Sequence, residues 1–370
     1  EHVALTYSGK VSFNLPKLTQ ILQLYQKALH KLPQWVTNRC ALHAKSYAQS
    51  SHWRVAEFKS NLYKGKSMLD LTAGLGVDAT YFAQSFDQVT ALELDETTFQ
   101  FAKFNQQKLN KQNINFLHAD LNNFQFESQY DLIYLDPDRR TGEERFLGDI
   151  ENYAPNIIEG HAAWLKQTNC LVIKLSPMVD LSLLERTFAN LNKIFVIGFK
   201  NEVKEVLIEL TNTHVSEPTR VSININQSEV YQFTGPRKTP HTNTTNSGNV
   251  LLEPSKPLIK SGLAHTYCET IGISPIKPAG LYFLHHKPID KFDGRQYRII
   301  EQLDPSIKAI QKLLKKRKVK AVEIAQRHYF EDVKSIRQKL KIKEGGQMSL
   351  HFTTSENNEP ICFCTERIKP

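Results

Sequence analysis

From residue 67 to residue 210 one pattern repeats: a short apolar run, a polar or glycine break, then an amphipathic stretch with helical spacing. The runs fall at 68–71, 89–92, 114–117, 132–135, 170–174 and 194–197, and Leu, Ile, Val and Phe dominate them. Strands that are apolar on both faces must be covered on both faces, which is the position of a parallel sheet between two helical layers. Right-handed crossovers then make the sheet doubly wound. A seventh run, 205–210, follows the sixth closely enough to form a hairpin with it. The expectation is an α/β, Rossmann-like fold over 61–215, with its ligand at the carboxyl ends of the strands.

The flanking regions have other textures. Residues 1–60 read as helical, with Leu18, Ile21, Leu22, Tyr25 and Leu29 at helical spacing and Pro33 closing the stretch. The segment 235–250 is polar, contains Pro and Gly, and reads as a linker. A helix is expected after 254–260 and short strands within 270–283. The last section predicts a helix at 306–316, a strand at 319–324, a helix at 330–340, and strands at 347–353 and 361–368. That order describes a small α+β domain over 296–370, with 216–295 as the segment before it.

No apolar run approaches the roughly 20 residues that span a bilayer, so no membrane association is expected. The first residues lack the basic start and apolar middle of a secretory signal, and the expected location is cytoplasmic. The five cysteines are odd in number and scattered, which argues against a disulfide framework. Cys362-Phe-Cys364 has one intervening residue and no second ligand pair. It reads as strand, and no metal is expected.

The segment 68–76, Met-Leu-Asp-Leu-Thr-Ala-Gly-Leu-Gly, runs from a buried strand into a glycine turn and a helix near Asp78. Gly74 and Gly76 allow a ligand close to the backbone. The match of Gly74-Leu-Gly76-Val-Asp-Ala79 to G-x-G-x-x-A also admits a dinucleotide. Asp70, placed on the strand itself, favours S-adenosylmethionine: a carboxylate there suits an ammonium and a sulfonium and repels a pyrophosphate. Further acids stand at the next strand ends. Glu93, preferred to Asp95, would accept the ribose hydroxyl protons, and Asp120 the adenine amino protons. Asp70, Thr72, Ala73, Gly74, Gly76, Glu93 and Asp120 form the expected cofactor set.

Asp136 ends the fourth run in Asp136-Pro-Asp-Arg-Arg140, where the acceptor would lie. Pro137 holds its predecessor extended and so aims Asp136 into the site. Hydrogen bonding to the Asp136 carboxylate would orient an exocyclic base amine for in-line attack. The structural alternative is that Asp136 pairs with Arg139 or Arg140 and pins the loop. Those two arginines could equally clamp a phosphate. Lys174 reads either as a substrate contact or as the partner of an acid.

These motifs resemble a bacterial family of class I methyltransferase-like proteins, common in Bacteroidetes, with a ferredoxin-like segment and a C-terminal THUMP-like domain. The resemblance rests on DLTAGLGVD (70–78), YLDPDRR (134–140), KLSPMVD (174–180), EVKEVLIEL (202–210) and EPSKPLIKSGL (253–263). It implies the Rossmann-like fold and RNA, ribosomal or transfer, as substrate. Members tend to carry an acid-Gln-Ser-Ser signature before the first strand; here the segment reads Tyr47-Ala-Gln-Ser-Ser51. The D-P-P-aromatic motif of amino-adenine enzymes is absent, although Tyr134, Phe146 or Tyr153 could supply a stacking ring.

The chain carries 47 Lys and Arg against 38 Asp and Glu, a net charge of +9. Residues 291–370 hold 18 basic and 10 acidic side chains, so +8 of that excess sits in the last fifth. Such asymmetry points to a polyanion. Lys312, Lys315, Lys316, Arg317, Lys318 and Lys320 lead the patch; Arg327, Lys334, Arg337, Lys339, Lys341 and Lys343 extend it, with His328 and Tyr329 available to stack. Two rival expectations are a catalytically silent methyltransferase fold that holds RNA and a NAD-dependent oxidoreductase.

Overall fold

A computed structural model of the chain describes residues 15–139, 150–151, 153–227, 229–236 and 243–368. It divides into two compact units, residues 1–194 with 205–218, and residues 195–204 with 219–370.

The first unit opens with helices α1 (Leu15–Lys31), α2 (Pro33–Thr37), α3 (Ala44–Gln49) and α4 (Trp53–Ser60). Pro33 does not simply close α1. It starts α2, where its missing N–H costs nothing. The apolar spacing of α1 does not translate into burial along its length, since Leu22 remains 56% exposed and Leu29 53%. Leu32, Trp35, Cys40 and Ala56 instead form a core with Leu75, Val77 and Tyr81 beyond the first strand.

The sheet strands are β1 (Gly65–Asp70), β2 (Phe86–Glu93), β3 (Ile114–His118), β4 (Leu132–Leu135), β5 (Leu171–Leu175), β6 (Leu191–Phe199) and β7 (Glu202–Leu210). Helices α5 (Val77–Phe82), α6 (Glu96–Lys108), α7 (Ile157–Trp164) and α8 (Leu181–Thr187) connect them. The strand order is 3-2-1-4-5-7-6. Strands 1 to 5 pair in parallel, whereas β7 pairs antiparallel with β5, Lys174 opposite Leu207 and Leu175 opposite Val206. A dinucleotide-binding sheet continues in parallel beyond its fifth strand. The reversed β7 separates this sheet from that class. The expected doubly wound α/β fold is present, and its order reverses between β1 and β4, the position at which such sheets take ligands at their carboxyl edge.

In the second unit, residues 195–199 of β6 are followed by β8 (Thr219–Ile225) and β9 (Val230–Gly235), an antiparallel pair. A separate seven-stranded sheet follows. Its strands are β10 (Val250–Pro254), β11 (Ser274–Pro275), β12 (Phe283–His285), β13 (Gly294–Leu303), β14 (Glu323–Gln326), β15 (Met348–Thr354) and β16 (Pro360–Arg367), with order 11-12-10-13-16-15-14. Helices α9 (Lys256–Ser261), α10 (Ala264–Thr270), α11 (Ile307–Lys316) and α12 (Val333–Leu340) complete the unit. Cys362 and Cys364 lie in β16, both buried.

Two expected boundaries move. The strand expected at 319–324 begins only at Glu323, because the Val319 N–H closes back on the Leu314 carbonyl and Lys318 takes a left-handed φ of 57°. The helix expected from 330 begins at Val333, where the Asp332 carboxylate caps it by accepting the Ser335 N–H at 2.8 Å. Among the described residues no helix is long and apolar enough to cross a membrane.

Candidate functional site

The turn after β1 is held by hydrogen bonds among the residues singled out in the sequence. Asp70 is buried, 1% exposed, and its Oδ1 accepts the Thr72 N–H at 3.0 Å. The Thr72 hydroxyl accepts the Asp136 N–H at 2.7 Å, so one side chain bridges the tips of β1 and β4. The Gly74 N–H donates to Glu93 Oε2 at 2.8 Å, and the Ala73 N–H to the Leu92 carbonyl, which fastens the turn to β2. The two glycines serve different ends. A Cβ on Gly74 (φ 55°) would meet nothing within 4 Å, so the turn borders open space there. A Cβ on Gly76 (φ 72°) would stand 2.5 Å from Phe116 Cζ, so that glycine answers to packing on β3.

The acids have distinct settings. Burial pushes the Asp70 carboxyl up to about 8, with Asp78, Asp136 and Glu93 adding repulsion. Burial also raises Glu93, against the backbone N–H groups of Asp95 and Gly74 that stabilise its charge. Asp120 sits past β3 as the cap of a single 3-10 turn, accepting the Asn122 N–H at 2.9 Å. The Ala119 N–H donates to the Glu93 carbonyl, which brings the β3 tip beside β2. Asp95 caps α6 through the Thr98 N–H at 2.8 Å and is thereby accounted for structurally. Open space beside Gly74, flanked by Asp70 and Glu93 on adjoining strand tips, fits a small ligand bearing positive charge and hydroxyl groups.

Register decides what faces Asp136. Leu135 pairs with Ile173, so the residues that follow each, Asp136 and Lys174, come side by side. Lys174 Nζ donates to Asp136 Oδ2, and their side chains are 11% and 32% exposed. Pro137, next in the chain, is buried. The structural alternative, a pair with Arg139 or Arg140, falls outside the described residues. Arg140 and the Arg139 side chain, as well as Phe146, lie outside the described residues. Tyr134 and Tyr153 supply no stacking ring. Each is under 5% exposed, with its hydroxyl engaged internally, Tyr134 on Asp78 and Tyr153 on the Ser176 N–H.

Behind Lys174 lies a cluster that sequence reasoning missed. Lys59, at the end of α4, is fully buried, yet its ammonium lies 2.9 Å from Asp78 Oδ2 and 3.0 Å from Glu205 Oε1. It also donates to Ser51 Oγ at 2.9 Å and Tyr134 Oη at 3.0 Å. Asp78 Oδ2 collects three donors: Lys59, the Ser51 hydroxyl at 3.0 Å and the Tyr134 hydroxyl at 2.8 Å. Burial pushes Asp78 up, but Lys59 and Lys174 outweigh it and hold the carboxyl below its ordinary range. Burial raises Glu205 and Asp136. It also pulls Lys174 down, but Asp136, Asp78 and Glu205 outweigh it and hold the ammonium well above its ordinary range. The signals for this cluster were the motifs at 47–51, 174–180 and 202–210, of which only Lys174 carried a reading, as a substrate contact or the partner of an acid. Gln49 of the first motif donates to Asp138 Oδ1 at 2.7 Å, tying the segment to the DPDRR loop.

In the second unit Lys315, Lys316, Arg317, Lys318 and Lys320 are all exposed at and beyond the end of α11. The extension of that patch is partly committed elsewhere. Arg327 pairs with Glu253 at 2.9 Å, Lys339 with Glu331 at 2.7 Å, and Arg337 donates to the Val322 carbonyl at 3.1 Å. Tyr329 packs on Phe352, ring centroids 5.2 Å apart, while the neighbouring Phe330 is 73% exposed.

Comparison with known proteins follows the same division. Residues 54–157 match the ribosomal RNA adenine dimethylase family, and residues 294–367 the THUMP domain-like family. No curated protein matches the chain. A methyltransferase-fold protein of Porphyromonas gingivalis W83 superposes with a TM-score of 0.81 at 23% identity, over 94% of this chain and 89% of that one. At that identity the likeness is one of fold. Weaker partial likenesses include a 16S rRNA N2 methyltransferase of T. thermophilus, 16% identical with a TM-score of 0.34 over 47% of this chain and 44% of that one.

Proposed function

We propose that this chain, a class I S-adenosylmethionine-dependent methyltransferase with a THUMP-like C-terminal domain, transfers the methyl group to RNA. The observation that carries the reading is the junction of the β1 and β4 tips, where the Asp136 N–H meets the glycine turn through the Thr72 hydroxyl. When bound, the cofactor supplies a methyl group on a sulfonium. Asp70 and Glu93 would hold its ammonium and ribose, Asp120 would reach its adenine amino group, and the backbone at Thr72, Ala73, Gly74 and Gly76 would line it. Asp136 and Pro137 would orient the acceptor. The exposed cations from Lys315 to Lys320 support the choice of RNA, because exposed lysines and arginines at one helix end offer phosphates their counterions' place.

The decisive experiment is transfer of labelled methyl from S-adenosylmethionine to RNA from cells lacking the gene. Label in RNA is the expected result; label in small metabolites alone would overturn the substrate.

Two further outcomes follow. The free protein holds Asp70 protonated below about pH 8, whereas a cationic cofactor pairs with its carboxylate. Affinity for S-adenosylmethionine should therefore rise with pH, by at most about tenfold per unit, and level off above about 8. Calorimetry at pH 7 in buffers of differing ionisation enthalpy should show up to one proton released. A flat affinity from pH 6.5 to 8.5 would remove Asp70 from contact with the cofactor. For the RNA surface, Lys315→Ser, Lys316→Ser and Lys318→Ser together should flatten the log–log salt dependence of RNA binding by about 2 to 3, at roughly 0.7–0.9 for each phosphate no longer neutralised. An unchanged slope would move the RNA surface elsewhere.

A further inference from the structure

The side chain beside Asp136 bears on which atom receives the methyl group. Lys174 is a lysine among carboxylates: its ammonium contacts Asp136, and Asp78 and Glu205 lie close enough to act on its charge. Lys59, buried behind it on Asp78 and Glu205, supplies a second positive charge to the same cluster. Register holds the arrangement together. Asp136 and Lys174 end neighbouring strands, and Glu205 adjoins Val206, the partner of Leu175, on the antiparallel strand.

An ammonium in this setting donates hydrogen bonds and accepts none. An exocyclic amine is a poor match for it. The amine has one lone pair, which must attack the methyl, and the nitrogen gains positive charge as the bond forms. A lysine alongside would repel that charge and has no lone pair for the amine hydrogens. A hydroxyl oxygen fits on each count. It has two lone pairs, one to attack and one to receive the lysine N–H, and it gains negative character as its proton leaves. Asp136 offers the proton acceptor: its Oδ2 is taken by Lys174, and no described residue engages Oδ1.

We propose that the acceptor is a hydroxyl, the ribose 2′-hydroxyl of RNA, activated by Asp136 and Lys174 together. The inference rests on the RNA reading above and adds to it the class of atom methylated. The hydroxyl oxygen forms the O–CH₃ bond while the S–CH₃ bond breaks. The bonding pair passes to sulfur, the neutral thioether leaves, and the hydroxyl proton goes to Asp136 Oδ1. Burial raises the Asp136 carboxyl, which makes it a better base for that proton than an ordinary aspartate. Lys174 compensates the charge on oxygen. Lys59 is a positioning residue, fixing Asp78 and Glu205 so that Lys174 stays charged and in place.

The test exploits a chemical property of the product. Alkali cleaves RNA through the free 2′-hydroxyl, so a 2′-O-methyl group leaves its linkage intact. RNA from cells lacking the gene is methylated with labelled S-adenosylmethionine and hydrolysed in alkali. Label in alkali-stable dinucleotides is expected. Label in mononucleotides means base methylation and overturns this inference while leaving RNA methylation standing; absence of label from RNA overturns both. Lys174→Met should lower transfer about 10²- to 10³-fold, with S-adenosylmethionine binding by calorimetry retained as evidence of folding. Its residual rate should climb with pH, up to tenfold per unit, where the parent is level, because hydroxide then does part of the deprotonation. Lys174→Arg should recover part of the loss. A Lys174→Met rate equal to or above the parent's would remove the lysine from the chemistry.

Discussion

Asp136→Asn is expected to lower methyl transfer by about three orders of magnitude while leaving S-adenosylmethionine affinity within about twofold. The substitution keeps the shape of the side chain and an oxygen for Lys174 to donate to, so the lysine is not stranded. It keeps the Asp136 N–H on Thr72, and with it the join between β1 and β4. It removes the negative charge and the ability to take a proton. Asp70 and Glu93, on the far side of Thr72 and Gly74, are untouched, so the cofactor set should persist. Single-turnover transfer to RNA and calorimetry with the cofactor separate the two effects. Equal activity in Asp136→Asn and parent would show that the residue neither orients nor deprotonates the acceptor. A loss of cofactor binding as large as the loss of rate would make Asp136 part of the cofactor site.

Lys59→Met is expected to cost about 3–5 kcal/mol of stability, because it leaves Asp78 and Glu205 buried beside each other without their cation. The rest of the site offers no easy replacement. Ser51 and Tyr134 can still donate to Asp78, but both are neutral, and Lys174 is committed to Asp136. A loss of this size can consume much of the stability of an ordinary domain. Adding Asp78→Leu and Glu205→Leu to Lys59→Met should recover most of it, since an apolar set of similar volume avoids desolvating charge. The measurement is the urea midpoint at constant slope for parent, single and triple variants. If the single variant unfolds at the parent's midpoint, the cluster is better solvated than its burial implies. The triple variant should fold and still fail to transfer methyl. That combination would separate a role for the charges in catalysis from one in stability.

Much of the first unit was legible because its determinants are local. Apolar runs such as 132–135 and 170–174 declare strands by themselves. An acid at the end of such a run, as at Asp70, Glu93 and Asp136, stands at the carboxyl edge whatever the strand order, because parallel strands all present that end together. The caps at Asp95 and Asp332 have the same local character. Legibility failed where a local feature had two outcomes. Leu22 and Leu29 keep perfect helical spacing yet stay exposed, since periodicity specifies a face without saying that anything covers it. Lys339 and Arg327 read as part of a free basic patch but pair with Glu331 and Glu253, the latter distant in sequence.

What the sequence determined by itself was the alternating α/β architecture, the glycine turn and the row of strand-end acids. Each depends on residues within a few positions of one another. Only the tertiary structure decided that Lys59, Asp78, Asp136, Lys174 and Glu205 converge. They come from five elements spread over nearly 150 positions, and their meeting depends on pairing register and on the reversal of β7. A one-residue slip of β5 would turn Lys174 to the opposite face of the sheet. Charge at a buried site is therefore specified by long-range pairing, which no local pattern records.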